Sequence, residues 1–300
     1  MEPRMWVLGA PDPEMQEIEK VLTTLGAVVR YAAVDGRRVH PGNAYKATGV
    51  LGGGIAAPDQ VIYLVECDLP LPGKVAVVVD HHHPGDPGYG RPPEEFLAGS
   101  SLGQVLEILG LEATEGQRLA AAADHCLEAA YRGRCPGVDP DALANWRAAS
   151  RAAFQKRETS AVLADVERAR AILRAGRQVM VAGIYLRDLR PGSVRGEVPC
   201  GEHGPACPGL LLAGHEEDGT ARWTDRPGCW GDVPELPEAA AREGEAFLAI
   251  PKPGPDGRRK LVLQAAAPAV VAEFLRDDGP FAYLSGRYGD PARGFAGGYL

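Results

Sequence analysis

Asp80, His81, His82 and His83 stand side by side directly after the apolar run Val75-Ala76-Val77-Val78-Val79, and Pro84-Gly85-Asp86 follows at once. A carboxylate grouped with imidazoles is a donor set suited to borderline divalent ions such as Mn²⁺, Zn²⁺ or Co²⁺. The plainer reading of the same residues is a polar loop that caps a strand. A short, continuous apolar run bounded by turn residues predicts a buried central strand, and Pro84 with Gly85 ends it. The cluster then sits at the C-terminal end of that strand, where open α/β sheets bind their ligands.

Other acids and imidazoles fall at the ends of other predicted elements. Met5-Trp6-Val7-Leu8 reads as a first strand, stopped by Gly9-Ala10-Pro11 and followed by Asp12-Pro13-Glu14. Those two acids could simply open a helix, where the helix dipole favours them. Residues 14–25 carry apolar positions at helical spacing, and Gly26 closes the segment as a C-cap. Residues 27–33 read as a second strand and Asp35-Gly36 as a turn, while 35–60 is a Gly/Pro-rich connection to which no element is assigned. Residues 61–65 form a third strand that runs into Glu66-Cys67-Asp68. Ser100-Ser101 can cap a helix over 102–109. An alanine-rich helix over 117–131 carries Asp124-His125-Cys126. This order of elements describes an α/β domain with a mainly parallel sheet.

Beyond it, residues 139–174 are strongly helical in composition and Gly176 closes them. Residues 178–185 begin a new sheet, and 246–250 with 260–264 read as a hairpin around Pro255-Asp256-Gly257. A helix over 268–276 and a last strand over 281–284 follow. The expected organisation is an N-terminal domain over 1–140, a helical connector over 141–176 and a smaller α/β domain over 177–300, in keeping with ~150 residues per domain.

The strand ending in Asp80-His81-His82 resembles the signature of the DHH phosphoesterase superfamily. That superfamily builds a two-metal site from acids and a histidine at several strand ends, with two ions about 3.5–4 Å apart activating water and stabilising the leaving oxygen of a phosphate ester. The resemblance implies that Asp12 and Glu14 stand for the acids of the first motif, with Leu8 where its histidine belongs. It offers Glu66 by strand register, or Asp68 by residue type, as the bridging acid. It makes His81 a metal ligand, His82 the contact to phosphate, and Asp80 the carboxylate that orients the pair. Ser100-Ser101 matches the helix start of the motif, and Asp124 its fourth acid. His83 and His125 are additional imidazoles, either of which could stand in for the one missing at Leu8. In the C-terminal domain, Arg287 and Arg293 in a Gly-rich tail could bind phosphate bidentately.

The resemblance thus implies a Mn²⁺-type, metal-dependent phosphoesterase. Its substrate would be a small phosphorylated molecule or short single-stranded nucleic acid: an oligonucleotide, a nucleotide bisphosphate, a cyclic dinucleotide or pyrophosphate. The alternative is a non-catalytic relative that keeps the fold and binds a nucleotide or a partner protein. The substitution at Leu8 and the absence of a histidine in the Gly-rich tail favour that alternative.

Composition bounds these readings. The formal net charge of −8 argues against a surface that coats nucleic acid generally, although a local basic groove is compatible with it. No apolar run approaches the ~18 residues that span a bilayer, and no export signal is read at the start, so the expected location is the cytoplasm, away from membranes. Six cysteines without an export signal are expected as thiols or metal ligands. Cys200, His203, Cys207 and Cys229 have ligand types loosely compatible with structural Zn²⁺. A homodimer is compatible with the sequence.

Overall fold

A computed structural model of the chain describes residues 4–52, 54, 61–71, 76–175, 177–181, 184–188, 235–249, 258, 260–264, 266–279, 281–291 and 294–300. By internal contacts it divides into two compact units, Met1–Trp146 and Arg147–Leu300.

The first unit is α/β, with a mixed, mostly parallel sheet. Its strands are β1 (Arg4–Leu8), β2 (Val28–Val34), β3 (Arg37–Arg38), β4 (Gly49–Leu51), β5 (Val61–Val65) and β6 (Ala76–Val79). They run in the order β3-β2-β1-β5-β6, with β4 also paired to β2. β1, β2, β5 and β6 are parallel, whereas β3 and β4 lie antiparallel against β2. The β2–β3 turn is Asp35-Gly36, both residues at positive φ (49° and 70°), as the right-handed twist of a two-residue hairpin favours.

Alternation along the strands sends residues to two different cores. Trp6, Leu8, Tyr63, Val65 and Val79 face α1 (Pro13–Thr24), α3 (Ser101–Leu109) and α4 (Glu115–His125). Met5, Val7, Ala32, Ile62 and Leu64 face the opposite way, under Val39, Ala44, Ala47, Cys67 and Leu69. The Gly/Pro-rich connection, with β3, β4 and a short 3₁₀ turn at Ala44–Lys46, thereby covers the second face of the sheet. The cap of α1 is the expected one: Gly26 N–H donates to the Thr23 carbonyl and Ala27 N–H to that of Leu22. Ser100 caps α3 by accepting from Gly103 N–H.

Two expectations for this unit are corrected. β6 is not central: among the described residues it is the terminal strand of the sheet, and Val77 and Val78 are 37% and 44% exposed. A run of valines reports a preference for extended backbone and not a place in the sheet. The helix expected over 117–131 is broken into α4 and α5 (Leu127–Tyr131) at Cys126, whose φ of −154° leaves the helical region. There the Cys126 and Cys135 sulfurs lie 3.0 Å apart, both buried. A four-residue helix, α2 (Phe96–Gly99), precedes α3.

α6 (Pro140–Gln155) contains the division between units, and α7 (Thr159–Ala175) follows it. In the second unit α8 (Leu236–Glu243) is clamped to these helices by ion pairs: Arg147 to Glu238, Arg151 to Glu235, and Arg170 and Arg174 to Glu243. β7 (Arg177–Val181) and β8 (Ile184–Asp188) form an antiparallel pair where a single strand start was expected. β9 (Phe247–Ala249) and β10 (Lys260–Gln264) are the expected antiparallel pair, although their turn lies outside the described residues. α9 (Pro268–Leu275) packs its Val271 and Phe274 with Phe281 and Leu284. Residues 281–284 are a turn and not a strand. The strands are β11 (Ser285–Asp290) and β12 (Phe295–Tyr299), and the sheet order is β11-β12-β10-β9. The glycine-rich end is thus a strand paired on both sides, where ladder hydrogen bonds override the low strand preference of glycine.

Candidate metal centre

The registers Leu8↔Val65 and Val65↔Val79 align the last residues of β1, β5 and β6. Gly9, Glu66 and Asp80 consequently leave the sheet side by side, with Gly9 N–H donating to the Val65 carbonyl (2.9 Å) and Glu66 N–H to that of Val79 (3.1 Å). Glu66 adopts a left-handed backbone (φ 49°), a costly conformation for a residue with a side chain and one that recurs at functional sites. α1 begins at this edge with Asp12 and Glu14, and α4 ends at it with Asp124 and His125.

Glu14, Glu66, His81 and Asp124 each offer a ligand atom within 4.8 Å of the others. His81 Nε2 lies 3.0 Å from Asp124 Oδ2 and 3.3 Å from Glu66 Oε1. Glu14, Glu66 and His81 are buried, and Asp124 is half-buried. Glu14 Oε1 accepts from the Leu102 N–H at the start of α3 (3.1 Å), whereas Glu14 Oε2 and Glu66 Oε1 are buried and accept no hydrogen bond among the described residues. Two buried carboxylates gathered with a third that is half-buried are unfavourable unless something positive joins them. An oxygen-rich set with one imidazole is a donor set for a divalent ion, and the buried oxygens without donors fit that reading.

The proton affinities carry the same signature. Burial, then the Glu66 and Asp124 charges, push Asp12 up to about 8, against the Met15 N–H and His81. Burial, then Asp124 and Glu66, hold Glu14 well above the usual carboxylate range. Asp12 also does the helix-capping work that its position suggests, accepting from Met15 N–H at 2.7 Å.

Asp80 plays a different part. Its Oδ1 accepts from the backbone N–H of His81 (2.6 Å) and His82 (3.1 Å) and from His82 Nδ1 (2.8 Å). Burial pushes this carboxyl up, but the hydrogen bond and charge of His82 and the two backbone donors outweigh it and leave it below its ordinary value. With Nδ1 donating to Asp80, a neutral His82 carries its lone pair on the outer nitrogen Nε2. The Tyr45 hydroxyl donates to Asp80 as well, 3.0 and 3.2 Å from its two oxygens. Tyr45 is not among the residues that the sequence singles out. It lies in the connection 35–60, and nothing in its surrounding sequence marks it.

Among the sequence candidates, Glu14, Glu66, His81 and Asp124 come together, with Asp12 beside them and Asp80 and His82 adjoining. Of the two candidates for bridging acid, Glu66 is in the group, while Asp68 is exposed and joins no such group among the described residues. Neither additional imidazole fills the place marked by Leu8. His125 stands behind His81, its Nδ1 3.2 Å from His81 Nδ1 and its Nε2 3.0 Å from the Arg91 carbonyl oxygen. His83 is turned outward, paired with Asp86 and edge-on to Tyr45. Arg287 donates to the Arg276 carbonyl (2.7 Å) and to Asp277 (2.6 Å). Arg293, Cys200, His203, Cys207 and Cys229 lie outside the described residues. No helix among the described residues is long and apolar enough to cross a membrane.

Comparisons with protein-family models, with curated proteins and with solved structures find no match.

Proposed function

We propose that the chain is a metal-dependent phosphoesterase, similar to the DHH superfamily, acting on a small phosphorylated substrate. The observation that carries this reading is the group of buried Glu14, Glu66 and His81 with half-buried Asp124 at the shared end of β1, β5 and β6. These four residues would hold one divalent ion, Mn²⁺ by the balance of oxygen and imidazole donors. When bound, such an ion supplies Lewis-acid activation of water and of phosphoryl oxygens. Asp80 holds His82 by its Nδ1, so His82 presents Nε2 toward a substrate phosphate and can exchange a proton there. Tyr45 keeps the Asp80 carboxylate in place.

The experiment is metal analysis of the purified protein joined to hydrolysis assays with Mn²⁺, using a dinucleotide, a cyclic dinucleotide and pyrophosphate. Bound Mn²⁺ with turnover of one of these supports the reading. Bound Mn²⁺ with no turnover points to the second reading, a non-catalytic relative that binds a nucleotide or a partner protein. One observation favours that second reading: Leu8 is fully buried in the apolar core and offers no donor where the resemblance calls for an imidazole.

A further inference from the structure

We propose that His125 is a positioning residue of this centre, holding His81 in the tautomer whose Nε2 lone pair faces Glu14, Glu66 and Asp124. The inference rests on the metal-centre reading for its purpose but not for its geometry. The Arg91 carbonyl oxygen can only accept, and it lies 3.0 Å from His125 Nε2, so the proton of a neutral His125 belongs on Nε2. His125 Nδ1 is then an acceptor. Across 3.2 Å, His81 Nδ1 must be the donor. In a neutral His81, a proton on Nδ1 leaves the lone pair on Nε2, the atom beside Asp124 and Glu66.

This arrangement opposes the local pull of the acids. A carboxylate oxygen 3.0 Å from His81 Nε2 favours a proton on that nitrogen, which would occupy the position a metal needs. The reverse tautomers would also set the His125 Nε2 lone pair against the Arg91 oxygen with no water to intervene, since both imidazoles are fully buried. A ligating histidine is ordinarily oriented by an acceptor on its other nitrogen. Here that acceptor is a second imidazole, itself fixed by a main-chain carbonyl.

The fold makes room for the relay. The rings of His81 and His125 lie nearly parallel, 17° apart with centroids at 5.5 Å. Gly99 backs His125 so closely that a Cβ there would lie 2.4 Å from Nε2. Gly99→Ala therefore shifts the ring without removing any hydrogen-bonding group.

The test is ¹⁵N NMR of the histidine side chains in metal-free protein at pH 8, together with Mn²⁺ titration by calorimetry. The wild type should show His81 protonated on Nδ1. His125→Leu should move that proton to Nε2 and weaken Mn²⁺ binding about 10- to 100-fold. Gly99→Ala should shift both readouts in the same direction. His125→Asn, whose Oδ1 can accept in place of Nδ1, should restore the tautomer and most of the affinity. A wild-type His81 with its proton on Nε2, or a folded His125→Leu whose tautomer and affinity are unchanged, overturns the proposal. The NMR readout needs no metal, so a tautomer switch in a protein that takes up no Mn²⁺ would reject the metal reading while leaving this inference standing.

Discussion

A Cβ on Gly9 would stand 2.2 Å from the carbonyl oxygen of Glu66. The ends of β1 and β5 approach so closely that only glycine fits, and on the far side of that contact Glu66 takes its left-handed turn toward His81. Gly9→Ala should therefore push Glu66 away from Glu14, His81 and Asp124. The expected outcome is a stability loss of roughly 1–3 kcal/mol from overpacking, with a fall in Mn²⁺ affinity. Urea unfolding and calorimetry on the variant measure both, and an unchanged affinity would show that the position of Glu66 does not depend on this contact.

The pH dependence of stability has a definite sign. In the unfolded chain Asp12 ionises near 3.8 and Glu14 near 4.5, whereas in the folded chain Asp12 holds its proton to about 8 and Glu14 is also raised. The folded state binds more protons in between. The stability associated with these two groups is fully present below about pH 4 and is lost as pH rises through about 8. A divalent ion replaces those protons, so Mn²⁺ affinity should rise over the same interval. Melting curves from pH 5 to 9 should decline in EDTA and stay level in excess Mn²⁺. A flat metal-free profile would contradict the crowding of carboxyls at the shared strand end.

Neutralising one proposed ligand should separate stability from binding. Glu14→Gln keeps the shape and the acceptor facing Leu102 N–H, but removes an ionisable carboxyl from a buried acidic group. Metal-free protein at pH 8 should melt about 2–6 °C higher, the shift expected of one to two kcal/mol in a domain of this size. Mn²⁺ affinity should fall at least about tenfold, or about 1.4 kcal/mol. A variant that is both less stable and equally avid would mean that Glu14 serves only to cap α3.

Much of this was legible in the residues, and the exceptions have physical causes. The strand ends carrying Leu8, Glu66 and Asp80 follow from short apolar runs stopped by turn residues, and α1 and α3 from their caps and spacing. The resemblance groups Asp12, Glu14, Glu66 or Asp68, His81 and Asp124 into one set, and the sheet edge brings Glu14, Glu66, His81 and Asp124 of that set within reach of one another. The edge position of β6 was not legible, because valine prefers extended backbone whether or not a neighbour lies beyond it. Nor was the break at Cys126, where local alanine content argues for an unbroken helix and tertiary packing decides otherwise. Tyr45 reaches Asp80 across 35 positions of chain, through a segment that has no periodicity to read.

Tyr45 should affect turnover and not metal binding. Its hydroxyl meets Asp80, which in turn holds His82. Tyr45→Phe removes a hydrogen bond of about 1 kcal/mol from the residue that orients His82, while leaving all four proposed ligands intact. With a hydrolysed substrate in hand, kcat should fall by about three- to tenfold and Mn²⁺ affinity should stay within about twofold, since 1 kcal/mol is about a factor of five in a rate. Loss of affinity with unchanged kcat would assign Tyr45 to the metal centre instead.

The geometry also bears on the number of ions. Among the described residues, Glu14–Glu66–His81–Asp124 and Glu66–His81–His82 share Glu66 and His81 and describe one position and its margin, while a third group, Asp80–His83–Asp86, is more exposed and its Asp80 already accepts from His82 and Tyr45. At the end of β1 Leu8 supplies no donor, and the nearby Asp12 carboxylate already accepts from Met15 N–H. The Leu8 side chain is fully buried with Trp6, Met15 and Ile18. His125 is committed to His81 and the Arg91 carbonyl, and His83 faces outward beside Asp86. Calorimetric titration of the wild type should give one tight Mn²⁺ per chain, and general phosphodiesterase activity should be low. Leu8→His should destabilise the metal-free protein by roughly 1–3 kcal/mol, the cost of burying an imidazole without a partner, and should add a second binding step that recovers part of that loss. Two equally tight ions in the wild type would mean that side chains beyond Glu14, Glu66, His81 and Asp124 complete a second position.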